Sequence, residues 1–203
     1  MYELIVLSLL MRGPFHGYLI VKIANDMIGP WAKISSGTLY PLLSKMEQTG
    51  LIAAAPWSQS GSGERQARTF VITDEGRKRF RQVMMDMSSN LGEYEKIFRY
   101  KMAFIDLLES KERLLLFNHY MNYCSTSILH MQTERANLAH ELSQQPDTAF
   151  LENVVRTIQH VEDQLQRELD WAREMRADEL ARAEALPTSA APTSTEGTPH
   201  KQE

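Results

Sequence analysis

Within the first 80 residues the spacing of apolar residues changes from a helical period to a strand-like one, and few folds are compatible with this change. Three short segments repeat apolar residues every three or four positions and end at Gly13-Pro14, Gly29-Pro30 and Gly50, which predicts three amphipathic helices. Two strand-like runs follow, residues 51–58 and 67–73, and a turn rich in Gly and Ser separates them, as in a β-hairpin. The pattern therefore predicts a small unit of three helices and a hairpin.

Three helices followed by a β-hairpin is the order of the winged helix-turn-helix, a DNA-binding fold. In the third helix, apolar residues between Leu39 and Met46 recur on one helical face, which leaves polar side chains on the opposite face. Polar side chains of this kind can donate and accept hydrogen bonds at base edges and phosphates in the major groove. Arginines on a hairpin can enter the minor groove, where the negative potential favours them. An ordinary solvated helix face and hairpin are the alternative interpretation. The residues expected to contact DNA are Ser35, Ser36, Thr38, Tyr40, Ser44, Lys45, Arg65 and Arg68.

Four segments stand out by their sequence and order: residues 13–18, residues 35–43 with the run Ser-Ser-Gly-Thr-Leu-Tyr-Pro-Leu-Leu, residues 46–52 and residues 73–76. Together they resemble PadR-type transcriptional regulators, and the long helical region after them is similar to that of the larger PadR subfamily. The hairpin departs from the family pattern, because Thr69 replaces one of two adjacent aromatic residues. The resemblance implies a homodimeric repressor on an inverted-repeat operator. It also implies a response to an effector, in the best-known members a phenolic acid such as p-coumarate or ferulate.

The charge of the chain is unevenly distributed, although its net charge of −4 by itself argues against a nucleic-acid partner. Residues 1–80 carry nine basic and six acidic residues, a net charge of +3, and the remainder carries 13 basic and 20 acidic residues, a net charge of −7. Two parts with opposite charge suggest two functions. We expect a winged helix-turn-helix domain at residues 1–80, a helical dimerisation and effector-binding domain at residues 81–186 and a disordered tail at residues 187–203. The fold class is mainly α with a small β-hairpin.

The C-terminal region predicts two long helices with heptad-like apolar faces. Apolar residues step by three and four positions from Leu114 to Met131 and again from Leu151, with a break near Pro146. A single helical hairpin offers these faces little to pack against, so we expect them to be buried in a dimer. Packing within one chain, as in a helical bundle, is the alternative. The residues assigned to the dimer contact are Leu151, Val154, Ile158, Val161 and Leu165.

Two groups of His and Tyr residues are candidates for an effector site. A hydroxycinnamate requires an apolar slot for its ring and polar partners at both ends. His16 and Tyr18 match the His-Gly-Tyr segment of the PadR resemblance, and His119 and Tyr123 lie one turn apart on one helical face. We expect these four residues to line the effector site. Packing in the protein core is the alternative role for each of them.

The sequence offers no constellation of an enzyme. Cys124 is the sole cysteine and lies in an apolar stripe, and its spacing from His119 and His130 does not suit a Cys–His dyad. We therefore expect no cofactor and no metal. The longest apolar run, residues 4–11, is too short to span a membrane, so we expect a cytoplasmic protein. The alternatives to an effector-released repressor are a winged-helix protein-interaction module and a regulator that responds to lipophilic drugs or another signal.

Overall fold

A computed structural model describes residues 1–28, 35–55, 68–88, 91–142 and 149–185. In the N-terminal part the elements are α1 (Tyr2–Met11), β1 (Phe15–His16), α2 (Gly17–Ile28), α3 (Ser36–Gln48), β2 (Ile52–Ala54), β3 (Thr69–Ile72) and α4 (Asp74–Met85). They are followed by a 3-10 turn (Leu91–Glu93), α5 (Tyr94–Met102), a second 3-10 turn (Ile105–Leu107), α6 (Ser110–Leu142) and α7 (Ala149–Ala185). The expectation of a mainly α fold with a small β unit is confirmed. The expected tail at residues 187–203 lies outside the described residues.

The sheet has three antiparallel strands in the order β1-β3-β2, one strand more than the hairpin expected from the sequence. The additional strand, β1, pairs Phe15 with Phe70 and His16 with Thr69. On the other side, β2 pairs Ile52 with Ile72. A strand of two residues has no measurable hydrophobic period, which explains why the sequence pattern did not reveal it.

Helix α1 forms the centre of the N-terminal core. Every residue from position 4 to position 10 is at most 5% exposed, including the polar Ser8. The Ser8 hydroxyl donates to the Leu4 carbonyl oxygen at 2.7 Å, so its burial leaves no unpaired hydroxyl. The sequence pattern predicted one buried face for this helix, whereas it is buried on all sides, because α2, α4 and β3 all pack against it.

The start of α4 is held against the rest of the N-terminal unit, and Thr73 caps this helix. The Thr73 hydroxyl accepts the Gly76 N–H at 3.0 Å and lies 2.6 Å from the Gly50 carbonyl oxygen, to which it donates. Gly76 is required for this close approach, because a Cβ there would lie 2.0 Å from the Leu51 carbonyl oxygen. Gly50 ends the α3 segment with φ of 74°, a conformation that favours glycine.

Helices α6 and α7 form a long antiparallel hairpin within one chain. Phe117 and Cys124 of α6 and Leu169 of α7 are buried in it, and Arg113 near the start of α6 pairs with Glu179 near the end of α7 at 3.0 Å. The alternative of intramolecular packing thus accounts for part of the heptad-like faces. Leu165 is buried in the single chain, and the other residues assigned to the dimer are half-buried, namely Leu151, Val154, Ile158 and Val161.

Polar contacts connect the two parts of the chain. Arg12, just after α1, donates from Nη2 to both Asp106 carboxylate oxygens at 2.9 and 3.1 Å. Lys101 of α5 is 1% exposed, and its ammonium donates to the carbonyl oxygen of Asp86, at the end of α4. Burial lowers the pKa of Lys101 to about 8. Among the described helices, none combines the length and apolar character that crossing a membrane requires.

Candidate nucleic-acid interface and effector groove

The exposed face of α3 carries most of the residues predicted to contact DNA. Thr38, Tyr40, Ser44 and Lys45 are exposed, while Leu39, Leu43 and Met46 on the opposite face are buried. Ser35 is exposed at the N-cap position, but its hydroxyl bonds to the Thr38 hydroxyl at 3.0 Å rather than to a free backbone N–H. The Ser36 side chain and Arg65 lie outside the described residues.

The Tyr40 ring packs against the start of α2, at Gly17, which has no side chain. A Cβ on Gly17 would lie 3.1 Å from Tyr40 Cε1 and 3.4 Å from Phe70 Cε2. The Tyr40 ring is nevertheless 45% exposed, so part of it remains available to a partner. Gly17 therefore allows α2, α3 and β3 to meet at one point beneath the exposed face of α3.

Arg68, the described arginine of the predicted hairpin, is already paired within the chain. Its Nη2 donates to the two carboxylate oxygens of Glu47 at 2.6 and 2.8 Å, and its guanidinium carbon lies 5.4 Å from the centre of the Phe70 ring. Glu47 belongs to α3, so this ion pair joins the strand side of the unit to the helix that carries the residues predicted to contact DNA. The sequence pattern did not identify Glu47, because its partner is 21 residues away.

The four residues expected to form the effector site are placed on two different parts of the chain. His16 is exposed on β1, where its Nδ1 lies 2.7 Å from the Thr69 hydroxyl, and Tyr18 is 67% exposed at the start of α2. His119 and Tyr123 lie together on α6. Within the described ranges, no hydrogen bond or ring contact joins the first pair to the second.

His119 and Tyr123 both contact Tyr94 of α5, a residue that the sequence pattern did not single out. Tyr94 is 1% exposed, and its hydroxyl lies 2.5 Å from His119 Nδ1. The Tyr94 ring meets His119 edge-on with centroids 5.3 Å apart and Tyr123 edge-on with centroids 5.0 Å apart. The separation of 25 residues between Tyr94 and His119 gave no local signal of this contact.

A groove of about 310 Å³ lies along α6 above this cluster. Every residue that lines the groove has a neutral polar or weakly basic side chain. The lining consists of His119, Asn122, Tyr123, Thr126 and Ser127. Its volume is at the lower end of the range for small-molecule sites, about 300–1,000 Å³. The groove therefore has room for a ligand built on a single aromatic ring.

A second aromatic layer lies behind the groove. Phe98 and Tyr120 are stacked with centroids 3.7 Å apart, and the Tyr120 hydroxyl donates to Glu168 at 2.7 Å. Arg99 donates to the other oxygen of Glu168 at 3.1 Å, which balances the charge of that half-buried carboxylate. Burial raises the pKa of Cys124 in this layer to about 12, and Glu168 adds to the shift. The thiol is thus kept protonated and is not a nucleophile. No cluster of metal-ligand type occurs among the described residues.

An exposed polar helix face beside a three-stranded antiparallel sheet, supported by a buried central helix, defines a winged-helix unit, a fold that many DNA-binding proteins use. Residues 6–82 match the family model of the transcriptional regulator PadR-like family. The match covers less than half of the chain, and over these residues the chain is similar to PadR-like transcriptional regulators.

Solved structures of PadR-type regulators are also similar to this chain. Bacillus subtilis PadR in complex with operator DNA is 18% identical, with 87% of this chain and 96% of that chain covered and a TM-score of 0.39. The same protein in complex with p-coumaric acid is 18% identical, with coverages of 87% and 97% and a TM-score of 0.37. A PadR-like regulator from Bacillus cereus is 19% identical, with coverages of 90% and 99% and a TM-score of 0.34. No protein of curated function matches the sequence.

Proposed function

We propose that this regulator is a homodimeric repressor that binds an inverted-repeat operator in the cytoplasm and is released by a small aromatic effector. The exposed face of α3 is the observation that carries the DNA-binding part of the proposal. It presents Thr38, Ser44 and Lys45 to solvent from a helix whose other face is buried in the core. Two such units related by a twofold axis fit two half-sites of an inverted repeat.

The experiment that tests the proposal is a mobility shift of the full chain with DNA from upstream of its own gene and the neighbouring genes. We expect a discrete complex whose affinity falls steeply with salt, by a slope of about −0.9 per phosphate contact. A matched fragment with one half-site scrambled is the control, and its affinity should be clearly lower. Equal affinity for both fragments, or no complex at low salt, contradicts the proposal.

The dimer part rests on α7. Leu151, Val154 and Ile158 are half-buried in a single chain and lie on one side of the helix beyond its buried stretch. A second chain that covers them buries apolar surface that is otherwise in contact with water. Truncation after residue 108 should leave a monomer that binds a half-site weakly. A tight dimer of this fragment in sedimentation overturns the assignment of dimerisation to the long helices.

The proposed response to an effector rests on the groove along α6 that His119 helps to line, called the His119 groove below. This groove combines aromatic side chains with several hydrogen-bonding groups. The family resemblance implies a phenolic acid, so p-coumarate and ferulate are the first compounds to add to the mobility shift. Release of the DNA by an aromatic compound at concentrations that leave an unrelated DNA-binding protein bound supports the proposal. Persistence of the complex with every phenolic compound and lipophilic cation tested contradicts it.

A winged-helix protein-interaction module is the second candidate, favoured by the Glu47–Arg68 ion pair. This pair neutralises one of the cations expected on the DNA-facing side. An interaction module predicts weak DNA binding without sequence preference. The scrambled half-site therefore distinguishes the two functions, and the effector panel distinguishes phenolic acids from lipophilic drugs.

A further inference from the structure

We propose that the His119 groove binds an uncharged aromatic ligand through an acceptor atom of the ligand that receives the Nε2–H of His119. Tyr94 acts in this site as a positioning residue, because it sets which imidazole nitrogen carries the proton. The inference rests on the effector response proposed above and adds the chemical class of the effector. It differs from the phenolic acid implied by the family resemblance, since it excludes a carboxylate as the group bound in the groove.

The first step concerns the direction of the hydrogen bond between Tyr94 and His119. The Tyr94 ring is 1% exposed, and within the described part of the chain its hydroxyl has one partner, His119 Nδ1. If Nδ1 were the donor, the buried hydroxyl hydrogen would have no acceptor, at a cost of about 1–3 kcal/mol. Burial also raises the pKa of Tyr94, so the phenol keeps its proton. The phenol is therefore the donor and Nδ1 is the acceptor.

The second step follows from the chemistry of imidazole. A neutral ring with its lone pair on Nδ1 carries its hydrogen on Nε2. Nε2 has no hydrogen-bond partner among the described residues, and His119 is one of the residues that line the groove. The groove thus presents a fixed N–H donor, which is suited to a carbonyl, ether or phenol oxygen of a ligand.

The third step concerns charge. The residues that line the groove contain no Lys or Arg. The groove therefore lacks a lining cation. A ligand carboxylate would find no Lys or Arg in the lining to pair with, whereas an uncharged ligand needs none.

The fourth step concerns shape. Tyr94 holds Tyr123 edge-on, and Tyr120 lies nearly parallel to Tyr123 at an interplanar angle of 13° with centroids 6.0 Å apart. This packing fixes the Tyr123 ring as one wall of the groove. A planar ligand ring contacts such a wall without reordering it, which reduces the entropic cost of binding.

The test compares p-coumarate, which is anionic at neutral pH, with its methyl ester, which has the same ring and is uncharged. Isothermal titration calorimetry on the full chain should give an affinity for the ester at least about tenfold higher. His119→Leu removes the donor and should weaken binding of the ester. Tyr94→Phe should weaken ester binding, whereas Tyr100→Phe, the matched change of another buried tyrosine on α5, should leave it unchanged.

A second readout does not depend on any ligand. Long-range ¹H–¹⁵N correlation spectra of the free protein should show His119 as the Nε2–H tautomer, and Tyr94→Phe should shift the population towards Nδ1–H. The Nδ1–H tautomer in the unmodified chain overturns the inference. So does equal or tighter binding of the acid than of the ester, or binding of neither at millimolar concentration. DNA release by the acid alone would leave the proposed repressor function standing while this inference fails.

Discussion

Arg68 and Glu47 form an ion pair that joins β3 to α3, with Nη2 of the arginine 2.6 and 2.8 Å from the two carboxylate oxygens. The sequence alone indicated two hairpin arginines free to reach DNA. The structure shows that one of them is neutralised within the chain and lies over the Phe70 ring. Arg68 therefore holds the sheet against α3, and Lys45 on the exposed face of that helix is the better candidate for a phosphate contact.

Replacing Lys45 or Arg68 by alanine should have different effects on the salt dependence of DNA binding. Lys45→Ala removes a cation that faces solvent, so the slope of log affinity against log salt should become flatter by about 0.9. Arg68→Ala removes a charge that Glu47 already balances, so it should weaken binding with a smaller change in slope. Fluorescence anisotropy at several salt concentrations measures both.

The control for these two variants is Lys111→Ala, which removes an exposed lysine paired with Glu109 at the start of α6. Its affinity and slope should equal those of the parent chain. A charge exchange, Glu47→Arg with Arg68→Glu, should recover much of the affinity lost by Arg68→Ala if the ion pair acts by positioning. If Arg68→Ala alone makes the slope of log affinity against log salt flatter by about 0.9, the value for one phosphate contact, then Arg68 contacts DNA directly.

Gly76→Ala should strongly destabilise the N-terminal unit. The added Cβ would lie 2.0 Å from the Leu51 carbonyl oxygen and 2.7 Å from Ile72 Cγ1, so α4 must move away from the sheet. We expect a loss of about 3 kcal/mol in the free energy of unfolding and a fall in Tm of roughly 10 °C. Gly92→Ala is the matched control, because nothing lies within 4 Å of its added Cβ. Similar thermal melts for the two variants would contradict the packing described here.

Lys101 should make the protein more stable as the pH rises above 8. Its pKa is about 8 in the folded chain because of burial, against 10.5 for an exposed lysine. Between these values the unfolded chain binds more protons than the folded chain, so the free energy of unfolding rises with pH. Relative to Lys101→Met, the parent chain should gain about 1 kcal/mol between pH 8 and pH 9 in urea melts. Parallel pH profiles for the two proteins would show that the ammonium is not desolvated.

Cys124 should resist thiol reagents in the folded protein. The side chain is fully buried, and burial raises its pKa to about 12, so little thiolate exists at pH 8. Reaction with Ellman's reagent should be slow for the native chain and complete within minutes in guanidinium chloride. Cys124→Ser provides the blank. Rapid reaction of the native protein would contradict the burial of this thiol.

Local sequence patterns were sufficient for the elements whose signals lie close together in the chain. The apolar stripe from Leu39 to Met46 and the glycine at position 50 each depend on neighbours within one or two helical turns. The exposed face of α3 followed from the same stripe, because a helix with one buried face leaves the other to solvent. These signals also carried the resemblance to PadR-type regulators.

The remaining features depend on residues that are distant in sequence and acquire meaning only when the chain is folded. His16 pairs with Thr69 across 53 residues, where β1 lies beside β3. Tyr94 contacts His119 across 25 residues, through a hydrogen bond to Nδ1 of that imidazole. The sequence by itself predicted the helices of the N-terminal unit and the exposed face of α3, because both follow from the local spacing of apolar residues. The tertiary structure decided the ion pair, the groove and its chemistry, because a hydrogen bond or a buried charge depends on partners that no local pattern identifies.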